Sequence, residues 1–175
     1  DRALPKNLEL ALEDKLEGAE WEKAWEDEVK RWGEFKTFGR MVTVAQAKAE
    51  GYQLLPTTEA FKRKTGLTSD GSLKVVGHRA RLCAKEFQAM GAKAGKLVYA
   101  PVVRDESSRC NIAFCFQHGY TTLVIDFRSA FRQGRYPYRA VVQLPRRNRT
   151  YNDNGELLVP ILEGNMEGTV TGASV

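Results

Sequence analysis

Asp126 is the carboxylate whose setting points most directly to chemistry. Leu123, Val124 and Ile125 form a short apolar run behind Gly119, Thr121 and Thr122, a pattern that predicts a buried strand. Asp126 closes that strand. A carboxylate at the end of a buried strand is poorly solvated, so it requires an arginine, a helix N-terminus or a divalent cation. The same aspartate also suits an N-cap for the segment 129–133, which Gly134 ends. Competing chemistries are weakly represented. His78 and His118 have no partner pattern for nucleophilic or metal chemistry and read as surface or structural residues. Cys83, Cys110 and Cys115 are odd in number and lack zinc-ligand spacing, which predicts reduced thiols in a reducing compartment.

Charge supplies the second lead. The net charge of +5 conceals an asymmetry, because residues 1–33 carry ten acidic and six basic side chains. The excess of cations therefore lies beyond residue 33. Residues 61–96 hold nine Lys or Arg against Asp70 and Glu86, and residues 127–150 hold seven Arg with no acid. Such density suits a polyanion, since each neutralised phosphate releases condensed counterions. A solvated basic surface is the plainer alternative.

The elements that must position these groups can be read in order. Residues 7–33 predict a helix broken near Gly18, with Leu8, Leu12, Leu16, Trp21, Trp25, Val29 and Trp32 along one stripe and an acidic, solvated opposite face. Its tryptophans read as packing groups, because Glu22, Glu26, Asp27 and Glu28 would repel phosphate. A short helix follows over 42–50, capped by Thr43 and ended by Gly51. Residues 57–64 then pair with 73–87 through a loop containing Asp70 and Gly71. Alternation in the second strand places Arg79, Arg81, Cys83 and Lys85 on one face and Ala80, Leu82 and Ala84 on the other. The cationic face could meet phosphate or simply protect a sheet edge from aggregation. Asp105 to Ser108 offer caps for a helix reaching His118, with Ile112, Ala113, Cys115 and Phe116 as its buried face. Asn152-Asp153-Asn154-Gly155 is a tight-turn signal between two strands, in which Asp153 would serve local backbone hydrogen bonds. No apolar run approaches the roughly 18 residues of a membrane span, and no signal-peptide pattern opens the chain. One domain, or two closely packed lobes, is expected from 175 residues.

Asp126-Phe127-Arg128-Ser129-Ala130-Phe131 resembles the first catalytic-aspartate motif of the copia-type reverse transcriptases. Further matches keep the family's order: Trp21, Ala24 and Glu28; Asp70-Gly71-Ser72; Arg79-Ala80-Arg81-Leu82 with Ala84, Lys85, Phe87 and Gln88; Tyr99-Ala100-Pro101-Val102; and Ser108-Arg109. Gln143-Leu144-Pro145 resembles the family's Gln-x-Pro, and Asn165-Met166-Glu167-Gly168 resembles its Leu-Tyr-Gly turn. The likeness spans roughly residues 20–175. Two departures are Glu59, where the family commonly has Trp, and Glu86, where it commonly has Gly.

The resemblance implies an α+β fold of reverse-transcriptase-like fingers and palm: a helical part over 1–52, a fingers-like basic hairpin region over 53–105, and the beginning of a palm with an antiparallel sheet over 106–175. It implies an RNA-directed DNA polymerase of a retrotransposon polyprotein, copying RNA or DNA into DNA by two-metal phosphoryl transfer. Asp126 would be the catalytic carboxylate and a Mg²⁺ ligand. Lys64, Arg79, Arg81, Ser129, Ala130 and Phe131 would bind the incoming nucleotide, Ser129 and Ala130 through backbone N–H groups and Phe131 beneath the sugar. Lys62, Arg63 and Lys85 would meet the primer–template. The family's second motif, an aromatic-x-Asp-Asp hairpin, does not occur in these residues, so the chain is expected to stop within the palm and to be inactive alone. Its partners would be an RNA/DNA primer–template, deoxynucleoside triphosphates and the missing palm, thumb and RNase H portions, without a membrane. The implied location is intracellular, in a cytoplasmic virus-like particle or the nucleus. A non-catalytic nucleic-acid-binding module, surviving as a retroelement relic, is the alternative.

Overall fold

The N-terminal stripe folds as two helices, as its spacing predicts. The structure is a computed structural model that describes residues 3–86, 104–123 and 130–169. Helix α1 (Leu8–Leu12) begins where the Asn7 side chain accepts a hydrogen bond from the Leu10 N–H at 2.9 Å. Asp14 Oδ1 accepts from the N–H groups of Leu16 and Glu17, turning the chain into α2 (Gly18–Glu34). Trp21, Ala24, Trp25, Glu28 and Trp32 are the buried positions of α2, at the three- and four-residue spacing of one helical face. The tryptophans are core, as expected. Glu28, expected on the solvated acidic face, is fully buried instead.

Beyond α2 come β1 (Phe38–Thr43), α3 (Val44–Ala49) and β2 (Gln53–Leu55). Thr43 caps α3 through a reciprocal pair with Gln46, and Gly51 follows with a positive φ, both as the sequence predicts. The hairpin follows as β3 (Thr57–Leu67) and β4 (Leu73–Ala84), paired antiparallel from Thr57↔Ala84 to Leu67↔Leu73 with a bulge beside Lys64. Its tip is the expected Asp70-Gly71 turn, where Asp70 Oδ1 accepts from the Ser72 N–H at 3.0 Å.

Helix α4 (Asp105–Gln117) departs from expectation in its packing. It ends before Gly119 as predicted, yet none of its residues is buried, and Ile112 and Phe116 are largely exposed. Its start also differs, since Arg104 occupies the N-cap without a side-chain hydrogen bond and the acidic Asp105 and Glu106 lie in the first turn. Those carboxylates favour the helix terminus through its dipole. Leu123, expected in a buried strand, is likewise exposed, and the rest of that strand lies outside the described residues.

Strands β5 (Ala140–Val142), β6 (Thr150–Tyr151) and β7 (Leu157–Leu162) complete a five-stranded sheet in the order β1-β7-β5-β2, with β6 also on β7. The sheet draws strands from all three expected segments. It is mixed, whereas an antiparallel sheet was expected, because β2 and β5 run parallel in the register Gln53↔Ala140 to Leu55↔Val142. A parallel pair needs a long connection, and the intervening hairpin and α4 provide it. At the β6–β7 turn Asn152, and not Asp153, makes the local bonds: its Oδ1 accepts from the N–H groups of Asn154 and Glu156.

One turn ties the hairpin to the sheet end of the molecule. The Ala84 N–H donates to the Glu167 carbonyl at 2.7 Å, and a Cβ on Gly168 would fall 2.1 Å from the Ala84 carbonyl oxygen. Gly168 also has φ +83°, a conformation that costs other residues about 1–2 kcal/mol. Gly168→Ala is therefore expected to destabilise the protein by more than roughly 2 kcal/mol in urea unfolding. An unchanged midpoint would contradict this close docking.

Candidate nucleic-acid interface

The cations of the hairpin gather on one face because cross-strand partners share a side of a sheet. Lys62 pairs with Arg79, Ala60 with Arg81 and Lys64 with Gly77, so Lys62, Lys64, Arg79 and Arg81 lie on the same side. Phe61, Ala80 and Leu82 lie on the other side and are buried. There Trp21 of α2 meets Phe61 edge-on at 5.5 Å and His78 at 4.3 Å between ring centroids. Helix α2 thus covers the apolar face, and the cationic face is the opposite side of the hairpin, from which Arg79 comes near Arg31 of α2.

Lys62 and Lys64 are exposed, while Arg79, Arg81 and Lys85 are half-buried. Burial, followed by the nearby charges of Arg81 and Arg31, lowers the pKa of Arg79. The guanidinium stays charged at neutral pH but is crowded by its own kind. Arg81 is partly compensated, its Nε standing 3.4 Å from Glu167 Oε1.

Arg63 belongs to the opposite face, contrary to its expected contact with nucleic acid. Its Nη2 and Nε bond the Glu17 carboxylate at 2.6 and 2.9 Å, and its guanidinium lies over Trp21 at 5.9 Å. Register explains the difference, since Arg63 pairs with His78 and both point toward α2. His78 Nε2 also reaches Glu17 Oε1 at 3.1 Å. The Arg63 hydrogen bond holds the Glu17 carboxyl at about 2, well below the usual carboxylate range.

A buried charge cluster closes the outer edge of β4. Glu28 Oε1 accepts from the Leu82 N–H at 3.1 Å, from Trp32 Nε1 at 3.2 Å and from Arg132 Nη2 at 2.5 Å. The same Arg132 nitrogen donates to Glu167 Oε2 at 2.6 Å, and Nε joins at 3.1 Å. Burial alone would depress the Arg132 pKa, but the Glu28 and Glu167 carboxylates outweigh it and raise it. Sequence reasoning missed this cluster because Glu28, Arg132 and Glu167 are far apart in the chain. An acid at a helical position in step with Trp21, Trp25 and Trp32 was the available signal.

Glu86, the family departure, is fully buried and accepts a hydrogen bond from the Tyr136 hydroxyl at 2.8 Å. Burial, together with that carboxylate, pushes the Tyr136 pKa up. Glu86 is therefore part of the interior and does not lie on the cationic face.

The second basic region is largely held by internal partners. Arg139 donates to the Glu50 carbonyl and lies over Tyr52, Arg147 pairs with Glu22 at 2.5 Å, and Arg149 donates to the Leu144 carbonyl. Gln143, Leu144 and Pro145 line an open cleft of 690 Å³ whose wall also carries Glu9, Glu59, Arg146 and Arg149. Mixed charge there does not select a polyanion.

Asp126 and Ser129 lie outside the described residues. Ala130 and Phe131 begin a 3₁₀ turn (Ala130–Gln133), with their side chains outside the described set. Among the described residues no group of three or more His, Cys, Asp or Glu converges to hold a metal ion, so no Mg²⁺ ligand set is assigned. The three cysteines are unpaired. No helix among the described residues is long and apolar enough to cross a membrane.

No family model, curated protein or solved structure matches this chain.

Two outcomes follow from the charge geometry. Arg132→Met leaves Glu28 and Glu167 facing each other in the interior and is expected to cost roughly 3–5 kcal/mol in denaturant unfolding; a loss under about 1 kcal/mol would show that the cluster relaxes freely. Glu17 has its folded pKa depressed to about 2. Its contribution to stability is therefore present above the unfolded value of roughly 4.3 and lost as pH falls through about 2. Discounted for partial exposure, that contribution is about 1–2 kcal/mol, and Glu17→Gln should flatten the acid limb of the stability profile between about pH 4.5 and 2. An identical acid limb in the variant would contradict the pairing.

Proposed function

We propose that this chain is the fingers and first palm portion of a copia-type reverse transcriptase, which holds an RNA or DNA template and its primer while nucleotides are added. The observation that carries the proposal is the convergence of Lys62, Lys64, Arg79 and Arg81 on the hairpin face opposite the one that α2 covers. A nucleic-acid backbone is the natural counterpart of such a face. It presents regularly spaced phosphates to the exposed lysines, while the half-buried arginines offer planar donor forks suited to phosphate oxygens. The order of the motifs along the chain, from Trp21 through Arg79-Ala80-Arg81-Leu82 to Asp126, supports the same reading.

In this role the described residues provide position and charge. Trp21, Glu17 and the Glu28–Arg132 pair fix the hairpin from behind, so its cations are presented on a supported strand pair. Arg79 and Arg81 neutralise charge developing on a transferred triphosphate, a task that needs donors already in place. Asp126 would hold Mg²⁺, which would supply the phosphoryl-transfer chemistry. Lys85, half-buried just beyond β4, would meet the template strand.

The test is binding of an RNA–DNA primer–template duplex across a salt series. Lys62→Ala with Arg79→Ala is expected to weaken binding irrespective of duplex sequence and to flatten the slope of log K against log salt by roughly 2. Unchanged affinity and slope would refute the fingers assignment. Salt-dependent duplex binding that added deoxynucleoside triphosphate leaves unchanged would instead favour a nucleic-acid-binding module without polymerase chemistry.

A further inference from the structure

The arginines around the buried cluster outnumber the carboxylates that face them. Arg132 pairs with both Glu28 and Glu167, its side chain only 2% exposed. Arg31 reaches the same Glu28 at 3.5 Å from the helix side, and Arg81 reaches the same Glu167 at 3.4 Å from the hairpin side. Arg79 stands near both Arg31 and Arg81, and no carboxylate among the described residues pairs with it. Three guanidinium groups therefore share two carboxylates, and a fourth, that of Arg79, stands beside them. Unlike Arg132, Arg31 and Arg81 remain partly open to solvent, with side chains 26% and 35% exposed.

Two buried nitrogens sharpen the imbalance. Arg81 Nε and Arg132 Nη1 have no hydrogen-bond partner among the described residues. Buried guanidinium donors left unsatisfied carry a desolvation cost that an additional anion would relieve. Glu167 is the more accessible of the two carboxylates: it sits in a turn, and its side chain is 18% exposed, against complete burial for Glu28. One Glu167 oxygen serves Arg132 and the other faces Arg81, so its carboxylate spans the interior and the open arginine face.

We propose that Arg31, Arg79 and Arg81 form a polyphosphate-binding site in which the Glu167 carboxylate is a built-in competitor, occupying the position beside Arg81 that a phosphate group would take. This rests on the fingers reading for its ligand, and it adds a helix residue, Arg31, and an internal anion to that site. Occupancy by phosphate turns Arg81 away from Glu167 and leaves Glu167 to Arg132. The competitor sets a threshold: a triphosphate, whose several charges Arg31, Arg79 and Arg81 share, displaces it, whereas a lone phosphate engages too few of these cations to do so.

The probe is inorganic tripolyphosphate, with monophosphate as the comparison, titrated calorimetrically into the full chain at low salt. Glu167→Gln retains an oxygen acceptor for Arg132 and removes the competing charge. It is expected to tighten tripolyphosphate binding about five- to tenfold and to make monophosphate binding measurable. Arg79→Ala, which breaks no ion pair among the described residues, is expected to weaken tripolyphosphate at least tenfold without altering the thermal midpoint. Affinity unchanged or lowered in Glu167→Gln, with the fold retained by circular dichroism, would overturn the proposal, as would unchanged affinity in Arg79→Ala. Tripolyphosphate binding with these responses but no binding of a primer–template duplex would sustain the site and refute the fingers reading. Duplex binding without any tripolyphosphate binding would refute the site and leave the fingers reading intact.

Discussion

The hairpin depends on a carboxylate placed under the open edge of a strand. A two-stranded ribbon has unpaired N–H groups on both outer edges and is marginal by itself in water. Here the Leu82 N–H is satisfied by Glu28 and the Ala84 N–H by the Glu167 carbonyl. Glu28 can serve there because Arg132, with Arg31 at 3.5 Å, neutralises it, and Arg132 is in turn held by Glu167. Three residues from α2, the 3₁₀ turn and the final turn therefore close one edge. Breaking any of them leaves a buried charge or a buried donor without its partner.

That arrangement also decides which cations remain for an outside partner. The acidic N-terminal helices draw Arg63, Arg132 and Arg147 to themselves through Glu17, Glu28 and Glu22. The charge asymmetry along the chain is thus partly an internal complement, in which the acidic start neutralises much of the basic end. Among the described cations left without a full partner are Lys62, Lys64, Arg79 and, in part, Arg81, which share the hairpin face opposite Phe61 and Ala80. These cations lie on a strand pair backed by α2, which is the support that the proposed polyanion-binding face would need.

The local elements were legible because their signals are local. Asn7, Thr43, Gly51 and Asp70-Gly71 act on neighbours a few residues away, and the alternation from Arg79 to Ala84 sets its two faces by strand period alone. Contacts between distant residues were not legible. Glu28 reads as one more acid on a polar helix face, and only the placement of Arg132 beside it makes burial tolerable. Arg63 sits between two exposed lysines in sequence, yet strand alternation turns it to the opposite side, where Glu17 receives it. The apolar residues of α4 repeat at helical spacing, but periodicity cannot tell whether a partner covers them. The parallel pairing of β2 and β5 likewise rests on a long connection that no short window reports.

The most direct test of this edge closure is amide hydrogen exchange in the free chain at neutral pH. The Leu82 and Ala84 amides should be protected to a degree comparable with core-strand amides such as Val142, while the amides of Asp70 and Gly71 at the hairpin tip exchange rapidly. Leu82 and Ala84 exchanging as fast as the tip would mean that β4 has an open edge, and that neither Glu28 nor Glu167 holds the hairpin in place.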